Sequence, residues 1–404
     1  MLPLLCTLLV QILKAQTQQA FVASGKNITT ADPKATRATK NLLKNLYLLK
    51  ERYTIFGHQD CLAYGNGWRY NVNNPSGYVA DVYNTCSDIP GVFGWDLGQI
   101  EQRLNNASID YVINQVKLRD LRQWVKWVYD NNGINTFSWH ADNPVFGGNA
   151  WQEGDKTTVC KILQKGSSWN IKFNGWLNLL ADFFLSLKGD DGTLIPVIFR
   201  PFHESTLTNC FWWNEYGNGC SHSSYIALWQ YTIDYLLNTK GVHNLLYAQS
   251  LNHAIYKNIC TGSYDIEEDY PGNDYVDILG LDAYQPNLTS ANTSITKIFM
   301  QDVNDECDYI TEFASLNHKV AAITETGAEN IPNTRWWTQV FSPLYANKKL
   351  AYVMLWRNPD KLTDFTSFYC IYPKHPSKPD FLSFYNGTNS FVFLRKLHAI
   401  NLYR

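Results

Sequence analysis

Short apolar runs recur along this chain, each bounded by turn-forming residues, and stretches of helical period fill most of the gaps between them. Eight runs have strand length and are rich in β-branched or aromatic residues: 54–59 (TIFGHQ), 91–97 (GVFGWDL), 134–140 (INTFSWH), 195–201 (IPVIFRP), 244–250 (NLLYAQS), 275–282 (YVDILGLD), 320–325 (VAAITE) and 350–356 (LAYVMLW). Helical patterns lie at 35–51, 111–131, 176–189 and 225–240. Strands alternating with helices predict a parallel sheet. Eight such units in about 350 residues predict a closed barrel, so the expected fold class is α/β, a (β/α)8 TIM barrel. No GxGxxG opens the first strand-to-helix turn, which argues against an open dinucleotide-binding sheet and for no nucleotide cofactor. No linker or break in composition interrupts the pattern. One domain is therefore expected over 35–404, with long βα loops at 141–175 and 358–385.

The amino terminus is different in kind. Residues 2–13, LPLLCTLLVQIL, have the length of a signal-peptide apolar region and are too short to span a bilayer. A signal peptide over 1–15 and a flexible lead-in over 16–34 are expected, and with them a secreted, extracellular protein. Removing Cys6 leaves eight of the nine cysteines, which fits four disulfides in an oxidising compartment. Cys61–Cys86 and Cys210–Cys220 are candidate pairs, with connectivity open. Asn-x-Ser/Thr sequons begin at Asn27, Asn106, Asn287, Asn292 and Asn386, acceptors for glycosylation in a secreted chain.

The net charge of −2 provides no basic field for nucleic acid or anionic lipid, and no other segment approaches transmembrane length. A monomer without nucleic-acid or membrane partners is expected. Aromatic residues reach 15% of the chain, with 14 Trp and 25 Tyr, an excess suited to stacking against sugar rings as well as to an aromatic core.

Chemistry in such a barrel gathers at the carboxyl ends of the strands. The residues at or just past each candidate strand are His58, Gln59 and Asp60; Trp95 and Asp96; Trp139 and His140; Arg200, His203 and Glu204; Asp282 and Tyr284; Glu325; and Trp356 and Arg357. They predict one crater of carboxylates, imidazoles and indoles. Two carboxylates on different strands suit glycosidic cleavage, in which one protonates the leaving oxygen and the other attacks or stabilises the anomeric carbon. Glu204 and Glu325 are the candidates. Pairing of Glu325 with Arg200 would keep it ionised. Asp282 either contacts substrate or braces a loop, and Trp151, Trp212 and Trp213 are either sugar platforms or loop core. His58, Gln59 and Asp96 are expected to organise the crater floor. HExxH is absent and the histidines are scattered, so no catalytic metal is expected.

The segments RPFHE (200–204), ITETG (323–327) and LWRNP (355–359) resemble glycoside hydrolase family 26, best known for endo-β-1,4-mannanases. FGHQD (56–60), YGNGW (64–68), VFGWDL (92–97), FWW (211–213) and DYPGNDYVDILGLDAY (269–284) look like that family as well, and the matches run in order from about residue 50 to residue 360. The resemblance implies a retaining double displacement with Glu204 as acid/base and Glu325 as nucleophile. It further implies that His140 and His203 line the central subsites, that Tyr284 hydrogen-bonds the nucleophile, and that Arg200 sits on the floor beside it. Trp356 would be the platform under the sugar at subsite −1, and Arg357 would contact a neighbouring sugar. The chain departs from the family's usual WFWW run: Cys210 stands in the first Trp position, tied in expectation to Cys220, which puts the plus-side subsites in doubt.

The expected function is endo-hydrolysis of a β-linked mannan, glucomannan or galactomannan. The alternatives are the same machinery acting on β-1,3-xylan or mixed-linkage glucan, and, in a different class, a barrel lectin that binds glycan without cutting it.

Overall fold

The computed structural model describes residues 28–70, 80–152, 154–208, 210–214, 220–253, 261–262, 266–286, 293–359 and 367–404. The expected signal peptide, most of the lead-in, Cys260 and the sequons at Asn27, Asn287 and Asn292 lie outside these residues. Eight parallel strands form the centre: β1 (Thr54–Gln59), β2 (Val92–Asp96), β3 (Ile134–Trp139), β4 (Val197–Pro201), β5 (Leu245–Asn252), β6 (Ile278–Gln285), β7 (Val320–Ala328) and β8 (Tyr352–Leu355). Each pairs with the next in chain order, and β8 pairs back onto β1 from Ile55↔Tyr352 to His58↔Leu355, which closes the barrel. A short ninth strand, β9 (Phe391–Val392), runs beside the start of β1. Among the described residues no helix is long and apolar enough to cross a membrane.

Strand alternation divides the core in two. Inward residues at the amino-terminal end of the barrel are apolar: Ile55, Val92, Ile134, Ile198, Leu246 and Ile278 pack in one cluster. Helix α1 (Arg37–Leu49) plugs this end with Leu42, Leu43, Leu46 and Leu49, its first turn capped by the Thr36 hydroxyl accepting from the Thr39 N–H. Burying each leucine contributes roughly 2 kcal/mol. Outward residues such as Phe56, Phe93, Phe137 and Phe199 pack in a second, larger cluster with helices α2 (Leu118–Asp130), α3 (Ser168–Ser186), α4 (His222–Asp234) and α5 (Thr293–Leu316). Toward the carboxyl ends the inward positions turn polar, and the crater begins there.

Two expectations need correction. The helix predicted from 111 starts at Leu118. Residues Tyr111–Val112 and Val116–Lys117 instead pair as a small antiparallel hairpin, with Asn114 and Gln115 at its tip both at φ 59°, a conformation no helix interior can hold. The cysteines do not form the expected framework either. Cys220 is bonded to Cys160, tying the long β3 loop to the start of α4, so the Cys210–Cys220 pair does not exist, although Cys210 is itself disulfide-bonded. Cys61, Cys86, Cys307 and Cys370 are free thiols, which excludes Cys61–Cys86. The Cys86 sulfur points at the Val82 and Asp88 carbonyls, 3.3 and 3.7 Å away, and Cys61 is buried.

Candidate functional site

The crater's two candidate glutamates reach it by different backbone devices. On β7, Val320 and Ala322 face the barrel interior while Ala321 and Ile323 face the helices. Strict alternation would turn Thr324 inward and Glu325 outward. The register between β6 and β7 slips at this point, from Leu281↔Ile323 to Asp282↔Glu325. This bulge places one extra residue on β7 and re-aims Glu325 into the crater. Thr324 also stays inward, donating to Asp282 at 2.5 Å. Gly280 makes that possible, because a Cβ there would collide with the Thr324 side chain.

Glu204 sits on a strained turn. Phe202 and Glu204 have φ of 47° and 54°, in the left-handed region that costs of order 1–3 kcal/mol for such residues. The strain is held by side chains that capture every carbonyl of the turn. The Tyr225 hydroxyl donates to the Phe202 carbonyl at 2.9 Å, the Trp213 indole to His203 at 3.1 Å, and the Asn214 amide to Glu204 at 2.6 Å. From β5, the Ser250 carbonyl accepts the Ser205 N–H at 3.0 Å and its hydroxyl accepts the Glu204 N–H at 3.3 Å.

Arg200, fully buried on β4, links the remaining anions. Its Nη1 donates to Asp282 at 2.8 Å and to the Ser250 hydroxyl at 3.1 Å, and its Nη2 donates to Glu325 Oε1. The other oxygen of Glu325 accepts from the Tyr284 hydroxyl at 2.6 Å. Burial, and then Glu325, push the Tyr284 hydroxyl far above its ordinary range, so it remains a donor. Burial raises Asp282 to about 7 despite the Arg200 charge. Glu204 is only partly open to solvent. That enclosure, followed by the nearby charges of Asp282 and Glu325, holds its carboxyl well above the usual range. One carboxylate oxygen each from Glu204, Asp282 and Glu325 lie within 4.8 Å of one another. Among the described residues this is the one group that offers several metal-type ligands, and Arg200 already supplies its positive charge.

The crater wall is built by His140 and His203, whose Nε2 atoms are 3.1 Å apart, with Asp96 bonded to His140 Nδ1. Trp356 and Arg357 are partly exposed at the end of β8, and the Trp356 ring lies 6.3 Å from that of His140. Trp151 is 48% exposed, its ring 5.1 Å from His140 and 5.4 Å from Phe211. The structure thus gathers Glu204, Glu325, Arg200, Asp282, Tyr284, His140, His203 and Trp356 around one hollow, with Arg357 and Trp151 at its rim. Trp212 is a correction. It is buried, and its indole donates to the Ala141 carbonyl at 2.9 Å, so it offers no face to a ligand. Trp213, equally buried, holds the turn of Glu204. Sequence reading missed Asn214, Tyr225 and Ser250. Asn214 stood at the end of a noticed motif, but nothing in the order of residues marks Tyr225 or Ser250.

A family model described as Glycosyl hydrolase family 26 matches residues 31–347. The chain is 30% identical over 359 residues to a mannan endo-1,4-beta-mannosidase of Bifidobacterium adolescentis, covering 85% of this chain and 34% of that protein, so it spans about a third of that relative's length. It is 28% identical to a mannan endo-1,4-beta-mannosidase of Bacillus subtilis, covering 75% of this chain and 82% of the relative. Among solved structures, a GH26 beta-mannanase from Bacteroides ovatus is 34% identical, covers 91% of this chain and 98% of its own, and superposes with a TM-score of 0.79. The catalytic domain of a GH26 endo-beta-1,4-mannanase from Bacillus sp. JAMB-750 is 30% identical with a TM-score of 0.77, covering 94% and 97%.

Proposed function

The chain belongs to glycosyl hydrolase family 26, and from that premise we propose that it is a retaining endo-β-1,4-mannanase, with Glu325 as nucleophile and Glu204 as acid/base. The observation that carries this reading is the pairing of two unlike carboxyls across one hollow. Glu325 is held by Arg200 and Tyr284, while Glu204 pairs with no cation among the described residues and is pushed toward its protonated form. One oxygen of each lies within 4.8 Å of the other, which supports the short separation of a double displacement over the wider one of an inverting route. Glu325 attacks the anomeric carbon as Glu204 protonates the leaving oxygen. Glu204, now a carboxylate, then takes a proton from the water that releases the sugar. Mannan as substrate is supported by the mannanases this chain resembles. Incubation with mannan, xylan and mixed-linkage glucan tests it: reducing ends should appear fastest from mannan, and no release from any polymer would leave the lectin reading in its place.

The alkaline limb of the pH profile follows from Glu204. The first step needs it protonated, so kcat/KM falls at alkaline pH as Glu204 loses its proton. Because Glu204 is raised, the alkaline limb lies well above an ordinary glutamate. Glu204→Gln, assayed on an activated aryl mannoside that needs no proton, should keep the first chemical step and lose that limb. A limb that persists unchanged in the variant would take the role away from Glu204.

Trp151 is the exposed aromatic nearest the His140 side, and we assign it a stacking contact at the rim. Trp151→Ala should raise KM for mannohexaose about 3- to 10-fold, the worth of one aromatic contact, with kcat and melting temperature nearly unchanged. An unaltered KM would remove Trp151 from the binding surface. Secretion is part of the same proposal. It is supported by the apolar run at 2–13 and by the exposed sequons at Asn106 and Asn386.

A further inference from the structure

We propose that Asp96 is a positioning residue that keeps His140 as an imidazolium, giving the crater wall a fixed positive charge one hydrogen bond from His203. Asp96 ends β2 and His140 follows β3, so the barrel itself sets their contact. Asp96 is saturated with donors. One oxygen accepts the N–H groups of Gly98 at 2.7 Å and His140 at 3.2 Å, and the other accepts the Ser138 hydroxyl at 2.8 Å and meets His140 Nδ1. A carboxylate held this way is ionised. A buried anion of this kind needs a counter-charge, and the nearest group able to carry one is the imidazole it touches.

The surroundings of His140 favour that charge. The Trp151 and Phe211 rings lie 5.1 and 5.9 Å from its centroid, within cation–π range. The ionised groups facing it are Asp96 on β2 and Glu325 on β7, which stabilise the charge, and Arg200 on β4, which opposes it. Burial alone would lower the His140 imidazole, but the charge and hydrogen bond of Asp96, with the charge of Glu325, together outweigh it and hold it above its usual value. Asp96 moves in the opposite sense, to about 2: burial raises it, but the His140 charge and ring hydrogen bond, together with the Gly98 and His140 N–H groups, outweigh that burial. The 3.1 Å contact between the two Nε2 atoms requires one proton between them. Burial first, then the charges of His140 and Arg200, drive the His203 imidazole far down, so the proton resides on His140 and His203 accepts it as a neutral ring.

His203 immediately precedes Glu204. The relay therefore locks one ring orientation in the residue before the acid/base and sets a positive charge in the crater wall that Glu325 faces. Its kinetic consequence rests on the hydrolase reading above; the charge state does not.

Nitrogen-resolved NMR of the imidazole rings in the full chain, assigned with His140→Gln, tests the proposal without substrate. Both His140 nitrogens should read as protonated at neutral pH and stay so above the ordinary imidazole range. Asp96→Asn should return His140 to a neutral ring and lower kcat about 10- to 100-fold, the usual scale for losing a carboxylate that orients a histidine, with a smaller change in KM. Asp96→Glu should recover the imidazolium and part of kcat. A wild-type spectrum with a neutral His140 accepting from His203 would overturn the proposal, and so would an Asp96→Asn protein with an unchanged His140 spectrum and pH profile. Neither result bears on whether mannan is cut.

Discussion

Glu325→Gln should lower kcat on mannan on the order of 10⁴-fold or more, a loss of about 5 kcal/mol of transition-state stabilisation. The amide has the shape of the carboxylate but neither its charge nor its nucleophilicity, so no glycosyl-enzyme can form. The fold should tolerate the change. Arg200 keeps Asp282 and the Ser250 hydroxyl as partners, and the new side chain can still accept from Tyr284. Reducing-end assays and thermal melts on the same preparation separate the two effects: rate should collapse while the melting temperature moves by a few degrees. Near-normal turnover would refute the assignment of the nucleophile.

The second large effect belongs to Arg200. Its guanidinium is fully buried and is the cation shared by Asp282 and Glu325. Arg200→Met leaves two carboxyls facing each other in the floor of the crater, and losing one partner of a buried ion pair costs about 3–5 kcal/mol. The cost should depend on pH in a definite direction. Asp282 already stands at about 7 with Arg200 present, well above an ordinary aspartate, and loss of the cation that lowers it raises it further. A group raised in this way is most compatible with the folded state below its unfolded pKa, and stability is lost as pH rises through the folded value. The variant should therefore approach wild-type stability in mild acid and fall away from it in alkali. Its activity at neutral pH should drop at least 100-fold, because Glu325 would lose the guanidinium that holds and orients its carboxylate. Melting curves across that pH range check the first statement, and equal destabilisation at every pH would contradict it.

The strand count, the closure of the barrel and most of the crater were legible because each rests on a local pattern. Apolar runs bounded by turns mark β1 to β8, and polar residues at their carboxyl ends mark the rim. What was not legible depends on residues far apart in the chain or on a break in periodicity. The bulge on β7 is invisible in VAAITE, since alternation alone sends Glu325 to the wrong face. It exists because β6 and β7 change register at Asp282, where Gly280 leaves room for Thr324. The FWW run alone does not decide between sugar platform and loop core. An indole after the acid/base serves a sugar or a backbone equally well, and only the folded loop shows Trp212 and Trp213 donating to the Ala141 and His203 carbonyls. Cysteine spacing failed for the same reason: Cys160 and Cys220 are 60 residues apart in the chain and adjacent only once the β3 loop lies against α4. Asp96 was placed on the crater floor, but its hold on His140 depends on the neighbouring ends of β2 and β3.

If Glu325 forms a covalent glycosyl-enzyme on β-mannan while Glu204 donates and then recovers a proton, the configuration of the anomeric carbon is retained. The most direct test is the proton NMR spectrum of mannohexaose in the first minutes of hydrolysis, before the new anomeric centre mutarotates. The β-anomer of the product should appear first. Appearance of the α-anomer first, or no cleavage at all at high enzyme concentration, would contradict these roles of Glu325 and Glu204.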